Sequence, residues 1–78
     1  MARFPRLKEI RERELGWEVV DLVYRLPDKR PGTASIYRLE AGGMIRVPNA
    51  RKIFDVLNKE LNGRLVFDDE IMLVKPED

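Results

Sequence analysis

Along most of the chain, apolar residues recur at the three- and four-residue spacing of an amphipathic helix, and the patterns break at glycine and proline. Phe4, Leu7 and Ile10 recur in a segment otherwise almost wholly charged; this predicts a helix over 5–15, with Pro5 suited to a first helical position and Gly16 ending it. Val19, Leu22, Val23 and Leu26 form one apolar stripe, predicting a second helix over 17–26 that Pro27 stops. Pro27-Asp28-Lys29-Arg30-Pro31-Gly32 is turn chemistry throughout. A third, short helix is expected over 33–41, with Thr33 or Gly32 as N-cap and Gly42-Gly43 as its left-handed stop. Only Ile36 and Leu39 are strongly apolar there, so this helix has a narrow anchor and reads as displayed rather than buried.

The fourth helix carries the longest stripe, Ala50, Ile53, Phe54, Leu57 and Leu61, with Asn49 as its expected cap and Asn62-Gly63 as its end. Arg51–Asp55 and Asp55–Lys59 have the spacing of i, i+4 ion pairs worth about 0.3–0.5 kcal/mol each. In the tail, Leu65-Val66-Phe67 and Ile71-Met72-Leu73-Val74 flank Asp68-Asp69-Glu70. Two apolar runs around a polar turn read as a β-hairpin, the preferred reading; the alternative is a short fifth helix capped by Asp68 and carrying Ile71 and Leu73. Lys75–Asp78 reads as a disordered end. The fold class expected is therefore all-α, four or five helices, with or without a C-terminal β-hairpin. Residues 1–63 are expected to form the helical domain and 64–78 a C-terminal hairpin or short helix.

Composition narrows the chemistry. The 78 residues allow one small domain. Without cysteine there is no disulfide framework, and without histidine there is no imidazole base, no Ser-His or Cys-His pair and no His/Cys zinc site. Ser35 and Thr33 are the only side-chain hydroxyls besides tyrosine, and glutamine is absent. No enzyme, cofactor or metal is expected. Asp68-Asp69-Glu70 lacks the spacing and the glycine of a calcium loop. The start of the chain has no apolar stretch behind its positive charges, and no run is long enough for a membrane span, so a cytoplasmic protein without membrane contact is the expectation.

Charge adds a direction. Residues 1–52 carry twelve Lys/Arg against seven Asp/Glu, and residues 53–78 three against seven. Between Pro27 and Lys52, six cations (Lys29, Arg30, Arg38, Arg46, Arg51 and Lys52) oppose Asp28 and Glu40 alone. A basic stretch ahead of an acidic tail suits a polyanion met by one face. Two consecutive helices, a tight turn and a narrowly anchored second helix make a helix-turn-helix, in which the second helix enters the DNA major groove and flanking cations hold phosphate.

Leu7-Lys8-Glu9-Ile10-Arg11-Glu12-Arg13, followed by Ile36-Tyr37-Arg38-Leu39-Glu40-Ala41-Gly42, resembles the Cro and phage-repressor helix-turn-helix family over about residues 5–61. The block 36–42 matches the family's hydrophobic-x-Arg-hydrophobic-Glu-x-Gly pattern at every fixed position. The resemblance implies a repressor-like helical bundle that binds a palindromic operator as a homodimer. It implies a buried Arg11–Glu40 pair tying helix 1 to the recognition helix, a base-reading role for Thr33, Ala34, Ser35 and Tyr37, and phosphate contacts from Asn49, Arg51 and Lys52. The sequence departs from the family in two places. Val19 stands where a polar residue usually braces the phosphate backbone, with no substitute beyond Glu18, and the turn between the helices is about three residues longer. Lys29 and Arg30 in that lengthened turn are expected to meet a phosphate.

Each assignment has a plainer reading beside it. Thr33 reads first as a cap, and Ser35 as either a DNA contact or a solvated side chain. Tyr37 reads as a DNA contact or as half-buried across a neighbouring helix, and Arg38 as a phosphate contact ahead of a guanine contact. Trp17 reads as core or subunit packing. Leu65, Phe67, Ile71 and Leu73 exceed what one small core needs and form the expected dimer surface. The alternative function is an antitoxin or other protein-interaction module on the same scaffold, gripping a toxin or another protein partner.

Overall fold

The computed structural model describes residues 1–74; the chain end 75–78, expected above to be disordered, lies outside the described residues. The chain is mostly helical, with one two-stranded sheet. In order it runs β1 (Ala2–Arg3), α1 (Leu7–Glu9) continuing into a π-helical stretch (Ile10–Glu14), α2 (Val19–Arg25), a 3-10 turn (Pro27–Lys29), α3 (Thr33–Glu40), α4 (Val47–Glu60), α5 (Phe67–Glu70) and β2 (Met72–Leu73).

The stripes read from the sequence meet in one core. Leu7 and Ile10, Val19, Leu22 and Leu26, Ile36 and Leu39, and Ala50, Ile53, Phe54, Leu57 and Leu61 are all buried. The first helix widens into its π turn where Leu15 donates to the Ile10 carbonyl (3.2 Å), which lets the adjacent Ile10 and Arg11 both turn inward. Gly16, at φ 65°, ends it. Gly42, at φ 97°, ends α3 in the left-handed region. Gly43 is needed for a different reason: a Cβ there would stand 2.8 Å from the Arg38 carbonyl oxygen, too close for any side chain without backbone movement.

The tail and the helix starts differ from expectation. The tail is not a hairpin: Phe67–Glu70 is a single helical turn, and Met72–Leu73 pairs antiparallel with Ala2–Arg3, Ala2 opposite Leu73 and Arg3 opposite Met72. An isolated two-stranded hairpin is marginal, whereas β1 offers an edge already fixed by Ile45, with which Ala2 exchanges hydrogen bonds of 2.7 and 2.8 Å. The alternative, a short fifth helix, does form, but it starts from Val66 rather than from an Asp68 cap and ends before Ile71 and Leu73. Helix α4 starts at Val47 with Pro48 preset for the first turn, which moves Asn49 inside the helix. Of the two N-cap candidates for α3, Gly32 takes the position and Thr33 is the first helical residue.

Of the four residues assigned to a dimer surface, Ile71 is buried in the core, and Leu65 and Phe67 are half-buried against it. Only Leu73, 61% exposed, faces outward. Leu65, Phe67 and Ile71 thus contribute to the one core. Phe67 meets the buried Phe54 edge-on, with ring centroids 5.3 Å apart, and Asn58 Oδ1 accepts the Leu65 N–H at 2.8 Å. Glu70 turns inward and accepts Arg6 at 2.9 Å through Oε2, while Oε1 has no partner among the described residues. Arg6 also donates to Glu9 at 2.8 Å, and this hydrogen bond holds the Glu9 carboxyl below its ordinary pKa. No helix among the described residues is long and apolar enough to cross a membrane.

Candidate nucleic-acid interface

Helix α3 is held by one side only. Ile36 and Leu39 point into the core, and Glu40 beside them is drawn inward by Arg11. Successive helical residues turn by about 100°, so Ala34, Tyr37, Arg38 and Ala41 fall on the opposite side. All four are exposed, Tyr37 by 61%. Thr33 is exposed at the first position of the helix and Ser35 lies half-buried at its flank.

The register of that face is set by a buried ion pair. Arg11 Nε donates to Glu40 Oε2 at 2.7 Å and Nη2 to Oε1 at 2.9 Å, a bidentate fork between α3 and the π-helical stretch. A third guanidinium donor, Nη1, reaches the Trp17 carbonyl at 2.8 Å. Donating to the Glu40 carboxylate raises the Arg11 pKa above its ordinary value, against the opposing cost of burial. Beside the pair lies a cleft of about 500 Å³, lined by Lys8, Glu12, Glu18, Val19, Tyr37 and Ala41 as well as Arg11 and Glu40. Its lining carries both signs of charge. At its rim Glu18 precedes α2, with its N–H donating to the Asp21 carboxylate at 2.8 Å.

The cations around α3 are not neutralised by the fold. Among the described residues, the side-chain ion pairs engage Arg6, Arg11 and Arg64, and none engages a Lys or Arg between Arg25 and Lys52. Within that stretch the only carboxylates are Asp28 and Glu40, and Glu40 is committed to Arg11. The expected Arg51–Asp55 and Asp55–Lys59 pairs do not form either; Arg51 instead lies over the Phe67 ring, 4.3 Å from its centroid.

The assigned residues fall into two groups. Lys29 and Arg30 are exposed in the turn that leads into α3, where Asp28 and Lys29 adopt positive φ (57° and 53°). They precede Thr33, Ala34, Tyr37 and Arg38 directly. Asn49, Arg51 and Lys52 stand apart on the first two turns of α4, with Asn49 and Lys52 half-buried. No side-chain hydrogen bond or ion pair joins the two groups among the described residues.

Two exposed cations belong beside these and were assigned no role from the sequence. Arg46 is the N-cap residue of α4, and Arg25 closes α2, lying 4.3 Å over the Trp17 ring while donating to the Asp21 carbonyl at 2.8 Å. Arg46 has no acidic neighbour at helical spacing, whereas Arg25 has Asp21 and Asp28 at such spacing and pairs with neither carboxylate among the described residues. No group of three or more carboxylates that could hold a metal ion exists among the described residues. The chain matches no family model, no curated protein and no solved structure.

Proposed function

We propose that this protein is a sequence-specific double-stranded DNA-binding protein of the helix-turn-helix type, acting as a homodimeric transcriptional regulator, most simply a repressor, by occupying its operator. The observation that carries the reading is the outward α3 face (Ala34, Tyr37, Arg38 and Ala41) together with the cations of the adjoining turn and helices, which the fold leaves without ion pairs. A helix fits the major groove, and its exposed side reads base edges while neighbouring cations hold phosphate. In this reading Tyr37 and Arg38 face the groove, Thr33, Ala34 and Ser35 enter first, and Lys29, Arg30, Asn49, Arg51 and Lys52 position the duplex. A dimer would present two such helices about 34 Å apart. The surface left for the second copy is the outer edge of β2 with Met72 and Leu73, both exposed.

Fluorescence anisotropy on random-sequence duplex DNA across a salt series tests the reading without knowledge of an operator. A dissociation constant of about 10⁻⁴–10⁻⁶ M is expected at physiological salt, weakening by a log–log slope of about −0.9 for each phosphate neutralised. Tyr37→Ala and Arg38→Ala should each weaken binding while shifting stability by less than about 0.5 kcal/mol, because both side chains lie at the surface. A large fall in melting temperature for either would assign that side chain to packing.

One observation favours the second reading, a protein-interaction or antitoxin-like module. Glu18 and Asp21 place two carboxylates at the start of α2, where the partial positive charge of a helix end would otherwise attract phosphate. Absence of duplex binding even at low salt would select that reading.

A further inference from the structure

Three of the unneutralised cations, on α2, in the turn before α3 and on α4, are held in place, and none of them by a carboxylate. Arg25 lies over Trp17 (4.3 Å), Lys29 over Tyr24 (4.7 Å) and Arg51 over Phe67 (4.3 Å). The distinction matters chemically. A cation held by a carboxylate is neutralised and has its donors occupied, whereas a cation held on a ring face keeps its full charge and its outward N–H groups.

We propose that Trp17, Tyr24 and Phe67 are positioning residues, which hold Arg25, Lys29 and Arg51 preset to receive the phosphates of duplex DNA. The inference rests on the DNA-binding reading and adds what fixes its backbone contacts. Long cationic side chains lose much rotamer freedom when they bind, and a ring that fixes them beforehand removes part of that loss from the binding step.

Each platform has its own support. Tyr24 is 69% exposed, so packing in the core gives no account of an aromatic residue there. Phe67 is braced edge-on by the buried Phe54, which ties the Arg51 platform to the core. Trp17 packs against the core with one face left to Arg25, whose position is further fixed by its hydrogen bond to the Asp21 carbonyl.

Double-mutant cycles read by anisotropy on random-sequence duplex provide the test. Tyr24→Leu should weaken binding about two- to fivefold when Lys29 is present and cause no further loss when Lys29 is already alanine. Tyr24→Phe, which keeps the ring, should bind as the unsubstituted protein does. Phe67→Leu with Arg51→Ala, and Trp17→Leu with Arg25→Ala, should behave in the same way, with melting temperature recorded for each. Equal losses with and without the cation, or no loss at all, would overturn the proposal while leaving DNA binding intact. If the unsubstituted protein does not bind duplex, the DNA reading itself fails and this inference fails with it.

Discussion

Replacing Arg11 by methionine alone should lower the free energy of unfolding by about 3–5 kcal/mol, because it strands a buried carboxylate. The side chains of Arg11 and Glu40 are only 7% and 6% exposed, and the two hydrogen bonds between them satisfy both carboxylate oxygens. Without the guanidinium, Glu40 must ionise in a poor solvent, take up a proton or swing outward and carry α3 with it. Against a total stability of roughly 4–12 kcal/mol for a chain of this length, such a loss should lower the melting temperature by about 12–40 °C. Replacing Glu40 by leucine in the same molecule should recover most of the loss, since two apolar residues of similar size leave no charge unpaired. Urea denaturation of the single and double variants checks both statements. A single-variant loss below about 1 kcal/mol would mean that water reaches the pair and that it behaves as an exposed ion pair.

The second large effect is expected on removal of residues 64–78, which should abolish cooperative folding. That deletion takes away the buried Ile71, the Phe67 ring against Phe54, the Arg6–Glu70 bond of 2.9 Å and the whole of β2. Cutting back one buried isoleucine costs about 2–5 kcal/mol, and here it is lost together with its neighbours. Circular dichroism during a thermal scan is the measurement. A sharp melt of a helical spectrum in the truncated chain would show that the helices form a core without the tail. Loss of self-association in that truncation would not locate a dimer surface, since the fold goes with it. Substitution of Leu73, exposed on β2, carries no such penalty and addresses the dimer directly.

Helix-forming stripes were legible in the sequence because each is a local pattern with a fixed period. The five residues of the α4 stripe and the pair Ile36 and Leu39 all reach the core. The start of α4 was misplaced because Asn49 is a good cap in isolation, whereas Pro48 is suited to the first turn and draws the helix start back to Val47. The tail was misread for a more general reason. Met72 and Leu73 find their partner at the opposite end of the chain, in a two-residue strand too short to show any alternation. Ile71 reads as surplus apolar surface until β2 is seen to lie against β1.

The candidate interface was only partly legible. Exposure of the α3 face followed from its narrow apolar anchor, whereas the stacking of Arg25, Lys29 and Arg51 on rings could not be read from spacing. Arg51 and Phe67 lie on different helices, and Asp55 at helical spacing from Arg51 suggested another partner. The Arg11–Glu40 pair came from the family resemblance and not from any local pattern.

Pairing of the two chain ends also bears on the order of events during synthesis. β1 precedes the other described elements and β2 follows them, so during synthesis Ala2 and Arg3 wait for Met72 and Leu73 before their ladder can close. The contacts among α1, α2 and α3 are short in sequence and free to form earlier, at smaller cost in loop closure. Ala2 can meet Ile45 earlier on one side, and the arrival of Met72 and Leu73 closes the sheet on the other.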